Sequence, residues 1–172
     1  MGELSLACKT SQDVVMRIYL PITTDAIASL RDLGRLDLAA VTALNAVGSG
    51  FVQTPQWQEI QDEDDQEVLE DSLLALATDV ASDLAMQMAT QLVAQVPNKF
   101  VTVLVAELAP ESLAIESDSH GVARLQSDIG FKQIQALFAG ISVENAVEEV
   151  EMSWFGPSEM PELLDFLGLP QQ

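Results

Sequence analysis

The single histidine, His120, closes the tripeptide Asp118-Ser119-His120, which sets a carboxylate, a hydroxyl and an imidazole on three successive residues. A nucleophilic triad needs these groups in a hydrogen-bonded row, usually assembled from distant positions, so adjacency is not its signature. A polar turn ahead of Gly121 accounts for the same letters. The run Asp62, Glu63, Asp64, Asp65 offers oxygen ligands to a hard cation. A calcium loop of the EF-hand type, however, needs glycine at its sixth position and glutamate at its twelfth; counted from Asp62 these are Glu67 and Leu73. The run therefore reads as a solvated, charged helix start. The stretch Gly48-Ser49-Gly50 lacks both the third glycine of a dinucleotide loop and the Lys-Ser/Thr of a phosphate loop, and reads as a turn. Arg17, Tyr19, Lys99, Arg124 and His120 fall on or beside predicted strands. They are the set from which an anionic-ligand pocket or a small active site at the sheet would be built; the competing reading pairs the cations with surplus carboxylates. No catalytic, cofactor-binding or metal-ligating residue is assigned, and no cofactor is expected.

The charge balance narrows the partners. Against 27 Asp and Glu stand 7 Lys and Arg, a net charge of −20. Nucleic-acid binding requires many phosphates to be neutralised, and seven scattered cations form no basic stripe. Neither a nucleic acid nor a membrane is expected as a partner, whereas a protein with a basic surface is. No apolar run reaches the roughly 18 residues that cross a bilayer. The only cysteine, Cys8, excludes an intramolecular disulfide and a zinc site built from thiolates. With Glu3 where a secretion signal wants positive charge, a cytoplasmic location is expected.

The elements that must position these residues follow from periodicity. Met16, Ile18 and Leu20 alternate with Arg17 and Tyr19, as in a strand with one buried face ended by Pro21. A short helix follows, capped by Thr23 or Thr24, with Ile27, Leu30 and Leu33 as its apolar stripe and Gly34 as its stop. A second strand is expected over 36–44 and an irregular stretch over 45–57. Eight acidic residues among the thirteen from 59 to 71 lead into a long helix from about Asp65 to Gln95. Its Leu69, Leu73, Leu76, Val80 and Leu84 should meet a central strand, 99–108, at Val101, Val103 and Val105. Two short extended pieces around a turn at His120, a helical turn at 131–138, a strand, a short helix near 145–152 and a C-terminal helix stopped by Gly168 complete the pattern. Trp154 and Phe155 either anchor a partner or pin that last helix to the core. The expected fold is α/β or α+β, a single mixed sheet of four to five strands with one long and several short helices. Residues 1–15 are expected to be an extension, disordered or a start-site artefact, ahead of a single domain spanning 16–172.

The strand "MRIYLP" (16–21) followed by a helix, the "AVT" of 40–42, the acidic opening of the long helix and the tail "SWFGPSEMPELL" (153–164) together resemble a family of short uncharacterised actinobacterial proteins whose members begin M-R-[VI]-Y-L-P. The resemblance covers most of the chain after residue 15 and implies no activity. From the residues themselves, the expected function is that of an acidic, non-catalytic interaction or accessory domain. Its candidate surface is Glu59, Asp62, Glu63, Asp64, Asp65 and Glu67. The oligomeric state is open.

Overall fold

A computed structural model describes residues 15–38, 49–91, 99–142 and 151–170. Its main sheet has seven strands in the order β5-β6-β3-β1-β4-β8-β9, every neighbouring pair antiparallel. These are β1 (Met16–Ile22), β3 (Ser49–Val52), β4 (Lys99–Leu108), β5 (Leu113–Ser117), β6 (Val122–Leu125), β8 (Ile134–Ser142) and β9 (Ser153–Phe155). A second sheet pairs β2 (Arg35–Leu36) with β7 (Ile129–Gly130). The α-helices described in full are α1 (Thr24–Leu33), α2 (Pro55–Gln61), α3 (Gln66–Gln91) and α4 (Met160–Leu167).

The expected mixed sheet of four to five strands is thus overturned. Among the described strands no pair is parallel: the strand that follows the long helix, β4, pairs antiparallel with both β1 and β8. Strand β3 lies inside the stretch read as irregular, and β9 is only three residues long. The piece read as a helical turn is a 3-10 turn, Phe131–Gln133, that opens directly into β8. Of the strand expected over 36–44 only Leu36 falls in a strand, while 39–48 lie outside the described residues. Most of the expected helix near 145–152, and the N-terminal extension apart from Val15, also lie outside them.

Alternation along β1 and β4 splits the interior into two layers. On one face Ile18, Leu20, Ile22, Leu104, Ala106 and Leu137 meet α1 and α4 through Ile27, Leu30, Leu163, Leu164 and Leu167. On the other, Tyr19, Val101, Val103, Val105 and Ala136 meet α3 and Trp57. Both faces are covered, so Tyr19 is as buried as its apolar neighbours.

Local chemistry sets the helix ends. Thr23 caps α1, its Oγ1 accepting from the Ala26 amide at 3.3 Å, and Gly34 in the left-handed region stops it with a bond to the Leu30 carbonyl. Asp65 caps α3: its carbonyl accepts from the Leu69 amide and its Oδ1 from the Glu67 amide at 3.0 Å. Pro21 does not end β1: it stays in register with Val103 of β4, while among the described residues β3 pairs with β1 only at Ile18 and Tyr19.

The face of α3 agrees with expectation at Leu69, Leu73 and Leu84 and differs at Leu76 and Val80. Its buried positions are Leu69, Leu73, Ala77, Ala81 and Leu84, while Leu76 is 36% exposed and Val80 half-buried. A stripe stepping by four residues presents two alanines to the sheet, where small side chains let the helix approach closely. Asp71, Asp79 and Asp83 point to solvent as expected, whereas Glu70 is half-buried.

Candidate functional site

Two shallow clefts of about 320 and 310 Å³ flank the start of α3, and both are lined by Arg17, Tyr19 and Glu70. Register explains the cluster. Arg17 lies opposite Glu107 across the β1–β4 pair, and one turn into α3 Glu70 reaches over the same end of the sheet. The Arg17 guanidinium donates through Nη2 to Glu107 Oε1 at 2.8 Å and through Nη1 to Glu70 Oε1 at 3.1 Å. Gln66 donates to Gln53 Oε1 at 2.7 Å, which ties the helix start to the segment after β3. The bond to Glu107 holds the guanidinium above its ordinary basicity, against the opposing effect of burial.

Tyr19 lies beneath this ion cluster. Burial is the main force raising its phenol above the ordinary value of 10.0, the Glu70 charge adds to it, and Arg17 opposes it. A raised phenol pKa means that the folded state favours the neutral hydroxyl. This stabilisation is fully present below pH 10.0 and is lost as pH rises through the folded value. Chemical denaturation of Tyr19→Phe across alkaline pH should therefore show a shallower fall in stability above about pH 10 than the parent protein does, each measured against its own value at neutral pH.

The other residues expected at this site lie elsewhere. Lys99 begins β4 opposite Ser142, eight positions from Glu107, roughly 26 Å away along the strand. Arg124 stands on β6 opposite Ser49, two strands from β1. There it pairs with Glu116 at 3.8 Å, and the Ser49 hydroxyl donates to the same carboxylate oxygen at 2.5 Å. His120 is exposed in the turn between β5 and β6, its Nδ1 2.8 Å from Ser117 Oγ and 3.3 Å from Ser119 Oγ. No carboxylate hydrogen-bonds its ring among the described residues, and the local hydroxyl contacts are those of a turn. That turn is fastened to the body: Thr54 Oγ1 donates to the Asp118 carbonyl at 2.5 Å, and the Val52 amide donates to the Gly121 carbonyl at 2.7 Å. The five-residue site therefore reduces to Arg17 and Tyr19. Their carboxylate partners carry no local sequence signal, since Glu70 and Glu107 lie 53 and 90 positions from Arg17.

The acidic run forms the corner between α2 and α3. Glu59, Asp62, Asp64, Asp65 and Glu67 are exposed and Glu63 is half-buried. Asp62 ends α2 with φ 51°, a left-handed geometry that aspartate tolerates. Glu63 Oε1 accepts from the Asp65 amide at 3.0 Å. Among the described residues no group of three or more His, Cys, Asp or Glu side chains is arranged to hold a metal ion, and no helix is long and apolar enough to cross a membrane.

Fold and surface together define an acidic α+β domain with a two-faced antiparallel sheet. The chain belongs to a family of unknown function, DUF6912, whose model matches residues 16–149. No curated protein and no solved structure matches it.

Proposed function

We propose that this is a non-catalytic interaction domain whose acidic corner, residues 59–67, meets a partner with a basic surface. The observation that carries this reading is that, among the described residues, no cation compensates the corner. Each of the four arginines is engaged elsewhere: Arg17 with Glu70 and Glu107, Arg31 with Asp32, Arg35 with Asp128 and Arg124 with Glu116. The Glu59, Asp62, Asp64 and Glu67 side chains make no hydrogen bond or ion pair among the described residues. Their mutual repulsion is relieved when a cationic surface binds, and the same field accelerates encounter with that surface.

The test is replacement of Asp62, Glu63, Asp64 and Asp65 by Asn or Gln. The amide oxygens keep the capping acceptors at Glu63 and Asp65 while the charge is removed. Partners are captured from the native cell at low and raised salt and identified by mass spectrometry. The parent protein should retain a basic partner that salt weakens, and the neutralised protein should retain less of it with its fold intact. Undiminished capture by the neutralised protein, together with loss on Arg17→Ala or His120→Ala, would overturn this reading in favour of a site at the sheet.

A further inference from the structure

We propose that the 310 Å³ cleft between the start of α3 and the β8–β9 edge receives a lysine or arginine side chain of the partner, with Trp154 as its aromatic platform. This deepens the reading above and rests on its premise that the partner is basic. Neighbouring residues of β9 face opposite sides of the sheet. Phe155 turns toward α4, where its ring lies 5.8 Å from that of Phe166, which in turn lies 6.0 Å from Phe100. Trp154 pairs with Phe138 in register and turns toward α3, yet it stays 57% exposed, whereas Trp57 is 2% exposed. Of the two adjacent aromatics, then, one pins the C-terminal helix and the other is left open to solvent. The indole lies against Gly156: a Cβ there would come within 3.1 Å of its Cη2 atom.

The cleft's chemistry selects its occupant. Leu74, Ala136 and Phe138 supply an apolar floor and wall suited to an aliphatic stem, and Glu70, Asp71 and Gln135 stand at the rim. Arg17 is present, but Glu70 and Glu107 already hold it; with Asp71 the locality carries three carboxylates against one guanidinium. Asp71 makes no hydrogen bond or ion pair among the described residues. An anionic occupant is disfavoured by this sum. A cationic head group over the indole and beside Asp71 is favoured by both the ring and the carboxylate. The cleft also adjoins the acidic corner, since Asp71 lies four residues, one helical turn, beyond the exposed Glu67 on the same face of α3.

The experiment uses the full chain and a capped peptide, Gly-Ser-Arg-Ser-Gly, beside the same peptide with neutral citrulline in place of arginine. Binding is followed by the two indole N–H resonances, assigned with Trp154→Phe. The arginine peptide should shift the Trp154 resonance saturably and leave that of Trp57 in place. Asp71→Asn and Trp154→Leu should each weaken binding about five- to tenfold, the range of a partly desolvated cation–π contact with its counter-charge. Equal binding of the citrulline peptide, no shift of the Trp154 resonance, or unchanged affinity in both variants would overturn the proposal. The corner variant separates this inference from the reading beneath it. If neutralising residues 62–65 abolishes partner capture but the arginine peptide leaves Trp154 unmoved, the cleft assignment fails and the acidic corner stands. If the peptide binds at Trp154 while the neutralised corner captures the partner undiminished, the corner reading fails and the cleft stands.

Discussion

Gly121→Ala should be among the most damaging single changes in this chain, lowering stability by about 2–5 kcal/mol. The left-handed backbone at φ 65° costs an alanine about 1–2 kcal/mol, and forced overpacking adds about 1–3. The second contribution arises because an added Cβ would lie 2.5 Å from the Val52 carbonyl oxygen and 3.2 Å from Trp57 Cγ. That oxygen belongs to the strand onto which the β5–β6 turn is fastened, so it cannot retreat without breaking the attachment. Gly34→Ala is the internal control. Its φ of 70° is nearly the same, but no atom lies within 4 Å of the added Cβ, so only the backbone penalty of about 1–2 kcal/mol applies. Urea denaturation of both variants reads the difference directly; equal losses would show that the packing of the turn against Trp57 is not as described.

The second large effect falls on α3. Leu73→Ala should cost about 2–5 kcal/mol, as large-to-small changes at buried sites do, because Leu73 is 1% exposed in the layer with Tyr19, Val103 and Val105. Leu76→Ala, three residues on, should cost less than about 1 kcal/mol, since that side chain is already 36% exposed. The pair of denaturation midpoints distinguishes the two faces of one helix. A larger loss at Leu76 would return the helix to the orientation that leucine spacing alone suggests.

That contrast shows where a sequence reading succeeds and where it stops. The existence of α3 is legible because apolar residues recur every three or four positions from Leu69 onward. Its facing is legible at Leu69, Leu73 and Leu84 but not between them, because Leu76 and Val80 compete with Ala77 and Ala81, and hydrophobicity alone prefers the larger pair. What decides is contact distance: alanines bring the helix axis close to the valine-rich β4, and no local pattern encodes that. Strand β4 is legible from its β-branched run, and α1 and α4 from their terminal glycines. Strand β3 is not, because the glycine that marks it as a turn is the glycine its pairing needs. A Cβ on Gly50 would lie 2.7 Å from the Tyr19 carbonyl oxygen and 2.8 Å from Ile18 Cγ1. The same limit applies to the ion cluster. Arg17 stands out as a cation on an apolar strand, but Glu70 and Glu107 are two among 27 acidic residues until register and helix placement select them.

The position of β1 at the middle of the sheet bears on how the chain assembles. Met16 faces Leu108 and Ile22 faces Thr102, whose hydroxyl donates to the Ile22 carbonyl 80 residues away. Its other neighbour, β3, is itself joined to β6 by pairing Ser49 with Arg124. During synthesis the apolar segment MRIYLPI is therefore made well before its long partner strand, which emerges only after α3 is complete. Among the described strands of this sheet only β5–β6 and β8–β9 pair neighbours in sequence. Contacts of such long sequence separation place the chain among domains that fold in milliseconds to seconds. Until β4 arrives, the β1 edge that β4 covers has no partner, and repulsion between copies carrying a net charge of −20 disfavours its pairing with a wrong neighbour.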